Sequence, residues 1–322
     1  MNKIRGVNVF LLFFVITMAV AFILLSRTPA DTKGVKYLIG MSQCNMGEPW
    51  RIQMDNDIMS AAEKYPDIKI IFTDAAQHNQ KQIEDVKKLM QLGIDLLIIS
   101  PNESEPLTPI ISEVFKKIPV IVLDRKTSND DYTLFIGADN RVIGESAGDF
   151  VKNILGTAGG NIVEIMGLPG STPTIDRSEG FRKSVSANAN IQIVGAITAD
   201  WLRDAAEDRF KDFLADNTGL RIDVVYAHND PMALGAYKAA TSMGRASEMM
   251  FVGIDGLAGE EGGINMVKEG IIDITFVYPT GGEEAIEYAM RILKGEIIEE
   301  KQVVLDNIQI DTSNYHLYLN SE

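Results

Sequence analysis

Two tryptophans, three arginines and two aspartates of this chain share a placement: each follows the end of an apolar run. IVLDR puts Asp124 and Arg125 after one run, and VGIDG puts Asp255 after another. Trp50 and Arg51 stand in SQCNMGEPWR, His78 in TDAAQHN, Arg177 in LPGSTPTIDR and Trp201 in ADW, while Tyr278 closes IDITFVY. AHNDPMALGA adds His228, Asn229 and Asp230. There Asp230 is expected to cap a helix with Pro231 at its first position. Asn229 is then either a turn residue or an amide free to meet a ligand.

These residue types suit recognition of a neutral polyol. Aromatic faces cover the apolar C–H surface of a sugar ring. Asp, Asn and Arg hydrogen-bond vicinal hydroxyls, and their charges neutralise one another. An anionic ligand fits poorly, because Asp124 and Asp255 would repel it and neither GxxxxGK[ST] nor GxGxxG follows a strand. Catalysis has less support: no GxSxG, HExxH or Cys/His pairing occurs. Asp124 and Asp255 could be drawn as a glycosidase pair, but matching positions in two echoing halves make them ligand clamps more simply. A binding protein, not an enzyme, is expected.

The elements that must position these residues are legible as a rhythm. Apolar runs at 35–41, 68–72, 95–100, 119–124, 132–137, 161–167, 191–197, 222–227, 249–255 and 272–278 alternate with stretches of helical period such as 79–93 and 201–217. Near-continuous apolar strands separated by helices predict parallel sheets covered on both faces. GIDLLIISPNE leading to PVIVLDR is echoed by RIDVVYAHND leading to MMFVGIDG, which predicts two similar α/β lobes. In such sheets ligands bind beyond the carboxyl ends of the strands, where the polar and aromatic residues above fall.

Composition narrows the classes. The 322 residues are 46% hydrophobic and carry a formal charge of −15, which argues against a nucleic-acid footprint. Cys44 is the single cysteine, so there is no intrachain disulfide and no Cys-based zinc site. The three histidines lack metal-ligand spacing, and neither a metal nor a cofactor is expected. Val7 to Leu25 is uncharged and long enough to span a membrane, with Lys3 and Arg5 before it. Residues 1–26 are read as an uncleaved anchor, with signal cleavage the alternative. Residues 27–35 serve as a linker to an extracytoplasmic domain.

From about Gly34 onward the chain resembles the type I periplasmic sugar-binding proteins, the ribose and xylose group. GEPWR, TDAAQHNQKQ, IVLDRK, IGADN, IDRSEGF, ADW, AHNDPMALGA, VGIDG and YPTGG carry the resemblance, in that order. It implies two doubly wound parallel-sheet lobes joined by a three-segment hinge: residues 36–137 with 279–306, and 138–278 with 307–322. It further implies that Asp124, Arg125, Arg177, Asn229 and Asp255 meet sugar hydroxyls, and that Trp50 and Trp201 lie against the ring. Arg51, Ser42 and His78 are further candidates. Tyr278 stands where the ribose binder has glutamine, which points away from ribose and toward a pentose such as D-xylose. The partner implied is a membrane histidine kinase of a two-component system, or an ABC importer permease.

Overall fold

The computed structural model describes residues 34–319. Among them no helix is long and apolar enough to cross a membrane; the expected anchor at 1–26 lies outside the described residues.

The first lobe opens with β1 (Tyr37–Gln43), α1 (Pro49–Ala62), β2 (Ile68–Asp74), α2 (Asn79–Gln91), β3 (Leu96–Ile99), α3 (Ser104–Phe115), β4 (Val120–Leu123) and β5 (Leu134–Ala138). The second contains α4 (Asn140–Leu155), β6 (Gly160–Met166), α5 (Thr172–Val185), β7 (Ile191–Thr198), α6 (Arg203–Asp216) and β8 (Val224–Ala227). It continues through α7 (Asp230–Ser242), β9 (Met250–Val252), α8 (Gly263–Lys268) and β10 (Ile274–Val277). The chain then returns for α9 (Gly282–Leu293) and β11 (Gln302–Leu305), and crosses again to β12 (Ile308–Asp311).

Each lobe is built on a six-stranded sheet, ordered β11-β5-β4-β3-β1-β2 in the first and β12-β10-β9-β8-β6-β7 in the second. Pairing is parallel throughout except between β10 and β12. The central strands are apolar at every position because both sheet faces are covered. Leu96 and Ile98 pack on the α1 and α9 side, while Leu97 and Ile99 pack on the α2 and α3 side, as the two-residue period of a strand requires.

Three crossovers join the lobes and lie side by side. Leu305 of β11 is in register with Ala138 of β5, and Ile308 of β12 with Val277 of β10. The hydroxyl of Tyr278, in the second crossover, accepts from Asn140 Nδ2 in the first at 3.1 Å. The loops leaving the carboxyl ends of the parallel strands therefore face one cleft, with the hinge along its side; antiparallel β12 runs the other way.

Candidate functional site

The cleft holds a pocket with about 420 Å³ of empty space, its open mouth included. The first lobe lines it with Asn45, Glu48, Trp50, Arg51, Asp124 and Arg125. The second contributes Pro173, Arg177, Trp201, Asn229 and Asp255, and the crossover residue Tyr278 completes the wall. The lobes are closed upon one another: Ser104 N donates to Gly170 O at 3.0 Å, and Lys126 N to Thr172 Oγ1 at 2.9 Å.

On the first lobe, Asp124 follows β4 with a left-handed backbone (φ 67°) that turns its carboxylate inward. Arg51, carried on α1, donates to Asp124 Oδ2 at 2.5 Å and to Ser100 Oγ at 2.9 Å. Tyr278 donates its hydroxyl proton to Asp124 Oδ1 at 2.8 Å. Burial alone would raise the Asp124 carboxyl; the Arg51 and Arg125 charges and the Tyr278 hydrogen bond outweigh it and hold the group below the usual range. Arg125 donates from Nη1 to Asn102 O at 2.7 Å, and its Nε, 3.8 Å from Asp124 Oδ2, is buried without a hydrogen bond to any described residue. Trp50 is fixed by donation from Nε1 to Tyr278 O at 2.7 Å, its ring 5.3 Å from that of Tyr278. Beside these, Cys44 is wholly buried.

The second lobe is less self-satisfied. Arg177 Nε donates to Asn140 Oδ1 at 2.8 Å, and its Nη1 donates to His228 O. No carboxylate among the described residues pairs with it, and its guanidinium lies 4.6 Å from the Tyr278 ring centre and 5.5 Å from that of Trp201. Trp201 lies flat on Gly167, where a Cβ would come within 2.3 Å of the indole. Its Nε1 is buried with no hydrogen-bond partner among the described residues. Asp255 follows β9 at φ 143°, its backbone bridged to β10. Its carboxylate receives no hydrogen bond from a described residue, although it is 6% exposed. Burial first, then the neighbouring Asp230, pushes this carboxyl well above the usual range; Arg177 and Arg51 only partly oppose them. Arg125 Nε, Trp201 Nε1 and the Asp255 oxygens are thus hydrogen-bonding groups left over by the protein at one cavity.

Nine candidates from the sequence line this cavity, but His78 does not. It is an exposed residue before α2, a loop away from the cleft centre. Ser42 is also outside the lining, buried 3.4 Å from Gln82 Nε2. The expected cap is corrected as well: Asn229, not Asp230, is the N-cap of α7. Asn229 Oδ1 accepts from Met232 N at 3.0 Å, and Nδ2 donates to Trp201 O at 3.1 Å. Asp230 instead points under the site, accepting from Gly256 N and Thr275 Oγ1 at 2.8 Å each. Beneath it, burial lowers the pKa of His228 despite the Glu164 carboxylate 3.0 Å from Nε2. Asn45, Glu48 and Pro173 were not singled out, although they lie in the strand-end loops SQCNMGEPWR and LPGSTPTIDR.

A two-lobed α/β fold closing on such a cavity defines a periplasmic binding protein, and residues 39–297 match the family model described as a periplasmic binding protein domain. The chain belongs to that family. It is similar to the ribose import binding protein of Bacillus subtilis (strain 168), 30% identical over 268 residues that cover 82% of this chain and 84% of the relative. It is 28% identical to the D-xylose-binding periplasmic protein of Haemophilus influenzae, covering 84% of this chain and 81% of that one. Among solved structures, the fructose-binding periplasmic domain of a hybrid two-component system superposes with a TM-score of 0.84 at 41% identity, covering 88% of this chain and 93% of the other. The protein is an extracytoplasmic sugar-binding protein and not an enzyme.

Proposed function

We propose that this chain is a membrane-anchored sugar receptor that closes on one neutral monosaccharide and passes closure to a membrane histidine kinase of a two-component system. The observation that supports it best is the set of unspent groups converging from both lobes: Arg125 Nε from one, Trp201 Nε1 and Asp255 from the other. A ligand that accepts from the first two and donates to the third is a hydroxylated one. Asp124, Arg51, Tyr278 and Trp50 form the prearranged floor, and Arg177 and Asn229 hold the second wall. Because the two sets meet only when the lobes close, the ligand favours that state.

Tyr278 argues for a pentose such as D-xylose in place of ribose. The relation to a fructose-binding domain at 41% identity, against 28% for the D-xylose binder, supports fructose as the first sugar to test. That neighbour's two-component context, with the uncharged segment at 7–25, supports a signalling partner and an anchor. The ribose import relative supports a second reading, delivery to an ABC importer permease. A thermal-shift panel of pentoses and hexoses on the full chain in detergent tests the ligand: a selective rise with D-fructose or D-xylose is expected. No rise with any monosaccharide would overturn it. Sugar-dependent capture of a kinase ectodomain, as opposed to a permease, decides between the partners.

A further inference from the structure

The described residues other than glycine that have positive φ fall into matched pairs across the two lobes. Ala76 and Gln77 follow β2, and Asp200 and Trp201 follow β7 in the corresponding edge position of the other sheet; Asp124 and Asp255 are the third pair. Side chains other than glycine resist this conformation, so each such turn persists only where its surroundings over-determine it. The first two pairs meet each other. Gln77 Nε2 donates to Asp200 O across the cleft at 2.8 Å. Two residues beyond Trp201, the opposite lobe takes hold again: Arg203 N, at the start of α6, donates to Glu48 Oε1 at 3.1 Å. The residue at the N-cap of α6, Leu202, has no side chain able to do this. Glu48 therefore caps a helix of the other lobe, where a carboxylate also complements the helix dipole.

We propose that Gln77 and Glu48 are positioning residues, a two-point latch that fastens the Asp200–Arg203 turn to the first lobe and so holds Trp201 over the ligand. Trp201 sits between the two fastenings, its ring 5.7 Å from the Arg125 guanidinium of the opposite lobe. Both bonds cross the cleft, so both are broken on opening and are made only in the closed state. The latch accordingly acts on the rate of leaving and not on the rate of arrival. Its role in ligand retention rests on the receptor reading; its role in closure does not.

The test uses the full chain in detergent. Stopped-flow tryptophan fluorescence with D-fructose, or with the panel sugar that stabilises the wild type, should show Gln77→Ala dissociating ~10-fold faster, as expected for one lost hydrogen bond. Its association rate should stay within about two-fold of wild type. Gln77→Glu, which replaces the donor with an acceptor facing Asp200 O, should be at least as severe; Glu48→Ala, whose side chain also lines the cavity, should likewise dissociate faster. A dissociation rate unchanged in both Gln77→Ala and Glu48→Ala overturns the proposal, as does a loss confined to association. A second arm needs no sugar. Spin labels at Leu92→Cys and Lys211→Cys, with buried Cys44 inaccessible, report the distance between lobes. The Gln77→Ala, Glu48→Ala pair should deplete the short-distance, closed fraction of the sugar-free distribution at an unchanged melting temperature; an unaltered closed fraction overturns the latch. If wild type binds no sugar, the receptor reading fails while this arm still decides the latch.

Discussion

Asp255 carries the sharpest trade between stability and binding. Its carboxyl is buried, unpaired by the described residues and raised above its unfolded value by burial and by Asp230. A raised acid favours the fold below the unfolded pKa of about 3.9, and that contribution is lost as pH rises through the folded value. The sugar-free protein should therefore gain stability on acidification through that raised value, as read by thermal melts across pH. Sugar affinity should fall over the same window, because hydroxyls donate best to the ionised carboxylate. Asp255→Asn should raise sugar-free stability at neutral pH by about 1–2 kcal/mol and weaken sugar binding at least ~10-fold in calorimetry. Unchanged affinity would remove Asp255 from the site. Trp201→Phe separates ring from N–H: about a 5- to 15-fold loss in affinity is expected if Nε1 donates to the ligand.

At the scale of elements, the site depends on close approaches that only glycine permits. Gly144 of α4 lies against α5, where an added Cβ would come 2.3 Å from Arg177 O. Gly144→Ala should push away the helix carrying Arg177, costing about 1–3 kcal/mol in denaturant melts and weakening binding with it. Gly167→Ala should instead lift the Trp201 ring and reduce affinity more than stability, because the ring's other side is the cavity. Much of this scale was legible beforehand. The ten apolar runs are β1 to β10, since strands covered on both faces have to be apolar at nearly every position. The short β11 and β12 were not read, because their partly exposed positions in QVVL and IQID lack such a run. The strand-end rule found nine lining residues, yet it names an end of the sheet and not a distance from its centre. His78 lies past the Ala76–Gln77 turn, exposed at the start of α2, whereas Trp201 after the equivalent edge strand β7 lines the cavity. That Tyr278 spends its hydroxyl on Asp124, 154 positions away, is a tertiary fact with no local signal.

For the molecule as a whole, the closed arrangement must compete with an open one for the sugar to act. Moving a mostly open population to a mostly closed one takes about 5.5 kcal/mol of differential affinity. Several charge-assisted bonds and ring contacts can supply it. Small-angle scattering of the sugar-free and sugar-saturated protein should show a smaller radius of gyration with sugar. Saturation at about 100 times Kd should also add about 2.7 kcal/mol to stability. The alignment of Leu305 with Ala138 and of Ile308 with Val277 bears on how that motion runs. Only Asp306 and Asn307 separate β11 from β12, too short a tether to let one half slide along the other. The halves are left with rotation about that edge, like the covers of a book about its spine. Residues farthest from the spine travel most, so a partner gripping the outer rims receives the largest displacement for each sugar bound.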